Sequence, residues 1–160
     1  MHCAPLCFCE LHAEAQAGRY RLQRMSIPPQ IQREILQELA AEARRTPREE
    51  CCGLLAGAEG IITRLLRAAN AALNPAVAYE IAPLEIFRLT RDIRAANLEL
   101  LGIYHSHPAS DNAPSPRDIE LAYYPEAAYF ILSPGLENPR SIRAFSIRDG
   151  RAVELEIQIV

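Results

Sequence analysis

The chain has 160 residues and a formal net charge of -3, with a pI near 5.8, which suits one domain able to bury roughly two thirds of the surface its unfolded form exposes. It carries no basic surplus of the kind that marks a nucleic-acid or polyanion binder, and all 17 basic residues are arginine, a compositional bias that accompanies abundant alanine. No run reaches the roughly 18 apolar residues of a membrane span, the N-terminus lacks a secretory pattern, and the 5 cysteines form no even framework, so a reducing cytoplasm is expected.

Residues 1–24 show neither helical nor strand periodicity and are expected to form a disordered leader, with Met25 an alternative start and residues 25–160 the folded domain. The sharper reading of the leader is a metal knuckle from His2, Cys3, Cys7, Cys9 and His12, but those spacings match no usual paired-ligand pattern. From Pro28 or Pro29 the sequence predicts a helix with Ile31, Ile35 and Leu39 on its buried face, joined by Leu36, Ala40 and Ala43 and stopped at Thr46-Pro47.

Glu50 to Gly57 reads as a strand, and a turn at Glu59-Gly60 leads to a second strand from Ile61 to about Ala68. An extended piece at Ala78 to Ile81 enters a second helix opened by Pro83, with Ile86, Leu89, Thr90 and Ile93 as its stripe and an end near Asn97. Leu100 to His107 is apolar on both parities at its start, as a central strand would be, and Pro108 stops it. After a polar loop, Ser115-Pro116-Arg117-Asp118 opens a short helix. Strands follow at about Ala127 to Leu132, Ser141 to Ile147 and Ala152 to Ile159, the last two joined by the hairpin signal Asp149-Gly150. The order predicts a single mixed α/β domain, a β-sheet sandwiched by helices.

The chemistry concentrates after the apolar run, where His105 and His107 are two of the 4 histidines in the chain. Residues two apart on a strand share a face at about 6.5 Å along the axis, so both imidazoles address one point and can share an ion bound at about 2.0–2.1 Å. Ser106 points the other way. His-x-His alone is a weak signal, and two polar residues at a wet strand end are its plain explanation.

Asp118 is the candidate third ligand. Ser115-x-x-Asp118 is also a good helix start, with Ser115 as N-cap and the carboxylate at the positive end of the helix, and the two roles are compatible. Two histidines and one aspartate leave a tetrahedral zinc one place open for water, the catalytic arrangement. Hydrolysis then needs a carboxylate to accept the water's proton and pass it to the leaving amine. Glu49 and Glu50 are the candidates, and since they point to opposite faces, periodicity does not choose between them. The Ser115 hydroxyl is placed to donate to an oxyanion.

Glu50-Cys51-Cys52-Gly53-Leu54-Leu55-Ala56-Gly57 followed by His105-Ser106-His107-Pro108, six residues, Ser115, two residues and Asp118 resembles the JAMM motif of the Mov34/MPN/PAD-1 family. Spacing agrees throughout, and the order of elements is similar over about residues 28–160. The likeness is greater to the short stand-alone bacterial members than to the longer eukaryotic deubiquitinases.

The resemblance implies the single-domain, cytidine-deaminase-like MPN fold and one Zn2+ per chain on His105, His107 and Asp118. It implies Glu50 as general base, since the family's glutamate stands three residues before the glycine that here is Gly53, and Ser115 as hydrogen-bond donor to the water or oxyanion. The implied substrate is a peptide or isopeptide bond after the C-terminal Gly-Gly of a ubiquitin-like or sulfur-carrier protein, in the cytoplasm, with no nucleic acid or membrane as partner. Oligomeric state stays open, a homodimer included.

Three other functions compete. A non-catalytic MPN scaffold typically loses motif residues, and none is missing here. DNA-repair-associated JAMM relatives usually carry Asn between the histidines and lack the Glu-x-x-Gly strand. A thiol hydrolase built on Cys51 or Cys52 places its nucleophile inside an apolar strand, where cysteine is ordinarily inert.

Overall fold

Two tight turns set the strand pairings. Glu59 and Gly60 have φ of 53° and 80°, and Asp149 and Gly150 have 51° and 71°, so both hairpins turn through two left-handed residues, the conformation that matches the twist of the flanking strands. The structure, a computed structural model, describes residues 28–134 and 141–160. The expected leader and its cysteine–histidine knuckle lie outside those residues.

In chain order the elements are β1 (Gln30–Ile31), α1 (Arg33–Arg45), β2 (Cys52–Ala58), β3 (Ile61–Ala68), α2 (Pro83–Ala95) and β4 (Glu99–Ser106). They continue with α3 (Pro116–Glu120), β5 (Ala128–Leu132), β6 (Ile142–Arg148), β7 (Arg151–Leu155) and β8 (Gln158–Ile159). The strands form one sheet in the order β7-β6-β5-β4-β2-β3-β1-β8. Most neighbours are antiparallel, but β4 runs parallel to β5, and β1 runs parallel to both β3 and β8. β7 and β8 occupy opposite edges although only Glu156 and Ile157 separate them. Three residue steps reach at most about 11 Å, so the sheet must curl until its edges approach.

The curled sheet carries a core on each face. Against α1 lie Ile35, Leu39 and Ala43 of the helix with Leu55, Tyr104, Phe130 and Leu132 of the strands. Against α2 lie Leu89 and Ile93 with Leu54, Ile103, Tyr129 and Ile131. Burying a side chain such as Leu39 or Ile131, both wholly buried, contributes about 1.5–3 kcal/mol. Gly53 has a packing reason: a Cβ there would collide with the Leu66 carbonyl and the Tyr104 ring. It lets β2 and its neighbours close three residues after Glu50.

Four boundaries differ from the sequence reading. Ile31 is not helical; it pairs with Ile62 in β1, and α1 starts only at Arg33. Ile31 feeds the same core as Ile35 and Leu39, so its spacing mimics a helix while the contact is made from extended backbone. The ladder of β2 begins at Cys52 rather than Glu50. The piece at 78–81 contributes only an isolated bridge between Asn70 and Ile81. The final strand divides into β7 and β8 because its two halves pair with opposite edges of the curled sheet. α2 ends at Ala95, in line with the expected end near Asn97, which turns through φ 55°.

Candidate metal centre

β4 delivers both histidines to the α2 face. Ile103 packs there, so His105 and His107 follow it on the same side by alternation. His107 lies one residue beyond β4, but its N–H donates to the Leu132 carbonyl at 2.8 Å, which extends the register with β5. Ser106 faces the opposite core, where its Oγ accepts from the Cys51 N–H at 2.9 Å.

The two Nε2 atoms lie 3.0 Å apart. His107 Nδ1 sits 2.8 Å from the Asp111 carbonyl, an acceptor that holds the proton on Nδ1 and leaves Nε2 as the electron-pair donor. His105 is fixed differently. Its Nδ1 has no hydrogen-bond partner among the described residues, and its ring stacks on Tyr79 with centroids 4.3 Å apart and planes inclined by 20°.

Asp118 closes the cluster from the first turn of α3. Its Oδ1 is 3.4 Å from His105 Nε2 and its Oδ2 is 3.3 Å from His107 Nε2. The Ser115 N–H and Ser115 hydroxyl each donate to Asp118 Oδ2 at 2.7 Å, while the Asp118 N–H donates to Ser115 Oγ at 3.2 Å. This capping box fixes the carboxylate by the local chemistry of the helix start. It also commits the Ser115 hydroxyl to Asp118, a partner that sequence reasoning did not assign to it.

Glu50 comes from the residue pair preceding β2 and is 6% exposed, whereas Glu49 is exposed, so the structure separates the two candidates. Ligand-type atoms of Glu50, His105 and His107 all lie within 4.8 Å of one another. The structure thus brings Glu50, His105, His107, Ser115 and Asp118 to one place. Tyr79 is the member that sequence reading missed; an aromatic in a loop gives no positional signal, although the extended reading of 78–81 was the right neighbourhood.

Electrostatics match a cation site. Burial pushes the Glu50 carboxyl up to about 7, with nearby His107 pulling down and Asp118 adding to the rise. For Asp118, burial pushes upward but hydrogen bonds from His105 and His107 outweigh it and hold the carboxyl well below its usual range. His105 is lowered, chiefly by burial. Burial also lowers His107, but the Asp118 hydrogen bond and the Asp111 carbonyl overcome it and leave the imidazole raised. Burial raises both thiols, Cys52 to about 12, so neither is a thiolate near neutrality.

The donor set fits a metal. Bonds of about 2.0–2.1 Å to a tetrahedral ion imply donor-to-donor edges of about 3.3 Å, and the edges among His105, His107 and Asp118 are 3.0, 3.4 and 3.3 Å. Two imidazole nitrogens and a carboxylate converging in a buried site form a donor set of the kind that binds zinc.

The family model for prokaryotic homologs of the JAB domain matches residues 32–148. The chain belongs to this family. It is a JAMM-type hydrolase of the α/β class. Its relatives include a desampylase of Haloferax volcanii, 37% identical over 113 residues and covering 69% of this chain and 81% of that protein. A CysO-cysteine peptidase of Mycobacterium tuberculosis is 32% identical over 132 residues, covering 81% of this chain and 90% of that protein. Among solved structures, that of protein DSY2949 from Desulfitobacterium hafniense aligns with a TM-score of 0.70 at 30% identity, covering 82% of this chain and 92% of that one. Among the described residues, no helix is long and apolar enough to cross a membrane.

Proposed function

We propose that this JAMM-type hydrolase is a zinc peptidase that cleaves the peptide or isopeptide bond following the C-terminal Gly-Gly of a ubiquitin-like or sulfur-carrier protein. The observation that carries the reading is the set of donor edges near 3.3 Å among His105 Nε2, His107 Nε2 and the Asp118 carboxylate, with a buried glutamate beside them. The names of the relatives, a desampylase and a CysO-cysteine peptidase, support the substrate class.

In this reading His105, His107 and Asp118 hold one zinc per chain. Zinc bound there supplies Lewis-acid polarisation of the substrate carbonyl and lowers the pKa of water to about 7. Glu50, buried beside the cluster, takes the proton of the attacking water on its carboxylate and returns it to the leaving amine nitrogen. Ser115 orients Asp118 through its N–H and hydroxyl, and the hydroxyl serves the oxyanion by turning away from Asp118. The folded domain spans residues 25–160 and works in the cytoplasm, with no nucleic acid or membrane as partner; a homodimer is compatible with it.

The competing readings fare less well. A scaffold has no need of a buried base such as Glu50, and a thiol hydrolase needs a low thiol pKa where Cys52 has one near 12. The test is metal analysis of the purified protein with mass spectrometry of a carrier protein extended beyond Gly-Gly. About one zinc per chain and a product ending in Gly-Gly is expected; a metal-free protein, or an intact extension with zinc bound, overturns the proposal.

A further inference from the structure

Glu50 precedes the first ladder pair of β2, so the sheet does not hold its backbone. The segment between β3 and α2 does. The Glu50 N–H donates to the Pro75 carbonyl at 2.7 Å, and the Glu50 carbonyl accepts from Asn70 Nδ2 at 2.9 Å. The same Nδ2 donates to the Ala78 carbonyl at 2.9 Å. Asn70 Oδ1 accepts from the Ala72 N–H at 3.0 Å and from the Glu80 N–H at 3.1 Å.

An asparagine side chain has two donor hydrogens and two acceptor lone pairs, and here all four are used. Two of the four bonds bracket Tyr79, one on the residue before it and one on the residue after it. Tyr79 is the ring that stacks on His105, the histidine whose Nδ1 lacks, among the described residues, the second hydrogen bond that ordinarily orients an imidazole ligand. One side chain therefore fixes the backbone that presents Glu50 and the backbone that presents the ring packed on His105.

We propose that Asn70 is a positioning residue for hydrolysis, tying Glu50 to the Tyr79–His105 stack and so setting the placement of the general base against the metal-ligating histidines. The proposal rests on the roles assigned above to Glu50 and His105. Asn70 touches no reacting atom; it acts through the two segments it joins. Tyr79 orients the His105 ring by stacking, where the Asp111 carbonyl orients that of His107 by a hydrogen bond.

Asn70→Asp separates the functions of the amide. It keeps an acceptor for the Ala72 and Glu80 N–H groups and removes both donors, to the Glu50 and Ala78 carbonyls. Zinc-loaded Asn70→Asp, assayed well below its Tm, is expected to lose about 10- to 100-fold in kcat at little-changed KM, the scale seen when support behind a reacting group is removed. Tyr79→Leu is expected to weaken zinc binding about 10- to 100-fold in competition with a chromophoric chelator, with kcat at saturating zinc altered much less.

A purely structural role predicts a lower Tm with wild-type kcat and zinc affinity in the folded fraction, and that result overturns the proposal. Should Asn70→Asp not fold, the wild-type protein still decides: both Nδ2 protons of Asn70 are expected to exchange slowly by NMR, compared with those of exposed Asn97, and fast exchange overturns the tie. If the wild-type enzyme cleaves no carrier protein, the proposed function fails by itself. The zinc affinity of Tyr79→Leu and the amide exchange of Asn70 then still report whether the tie exists.

Discussion

The two faces of the sheet around β2 and β4 use alternate residues of the same strands to opposite ends. On the α1 face, Leu55 and Tyr104 pack with Leu39 and Phe130, and even Ser106 closes inward onto the Cys51 N–H. On the α2 face, Leu54 and Ile103 build an equally apolar wall, but toward one end it gives way to Glu50, His105 and His107, all buried. The first face is held by apolar packing, although the Tyr104 hydroxyl buried in it has no hydrogen-bond partner among the described residues. The second buries ionisable groups whose desolvation the protein offsets only in part, which is the condition under which a cation is bound and a carboxyl becomes a usable base.

The contrast predicts that damage to one face changes chemistry and damage to the other changes stability. The largest effect is expected from Glu50→Gln, which should lower kcat by about 10²–10⁴-fold with zinc content and Tm near those of wild type; substantial residual turnover removes Glu50 from the proton transfer. Phe130→Ala, on the α1 face and wholly buried, should cost about 3–5 kcal/mol of unfolding free energy while the folded enzyme keeps its kcat. Chemical denaturation beside steady-state kinetics checks that division, and a selective loss of kcat would show that the faces are coupled.

Much of this division was legible in the chain. His105-x-His107 announced a shared face through the period of two, and Ser115-x-x-Asp118 announced a helix start with Ser115 as N-cap, because both signals are local. The choice of Glu50 over Glu49 was not, since it depends on the approach of strands more than fifty positions apart; the family resemblance, not periodicity, supplied it. The hairpins at 59–60 and 149–150 were readable from their Gly-containing turns. Ile31 and the division of β7 from β8 were not, because a buried apolar residue at helical spacing and a continuous extended run look the same until the curled sheet brings its two edges together. Asn70 lies in a loop that shows no pattern and Tyr79 in a piece read only as extended, and their places come from tertiary hydrogen bonds and stacking.

Two smaller effects sharpen the comparison. In metal-free protein, Glu50 titrates near 7 instead of its usual 4.5. A folded-state pKa above the unfolded value favours the protonated fold, so this contribution is fully present below about 4.5 and is lost as pH rises through about 7. Metal-free Glu50→Gln should therefore gain stability relative to metal-free wild type across that window, by about 1–3 kcal/mol, as thermal unfolding from pH 4.5 to 8 will show; a difference independent of pH contradicts it. Ser106→Ala, which leaves the buried Cys51 N–H without its acceptor, should cost about 1–3 kcal/mol and leave zinc content unchanged.

The central claim is that the two carboxylates divide their labour, Asp118 on the metal and Glu50 beside it. Zinc anomalous scattering from crystals of the zinc-loaded protein tests this most directly. The expected result is one zinc per chain bonded to His105 Nε2, His107 Nε2 and the Asp118 carboxylate, with Glu50 outside bonding distance. A zinc bonded to Glu50 with Asp118 released, or a zinc found elsewhere in the chain, would contradict the account.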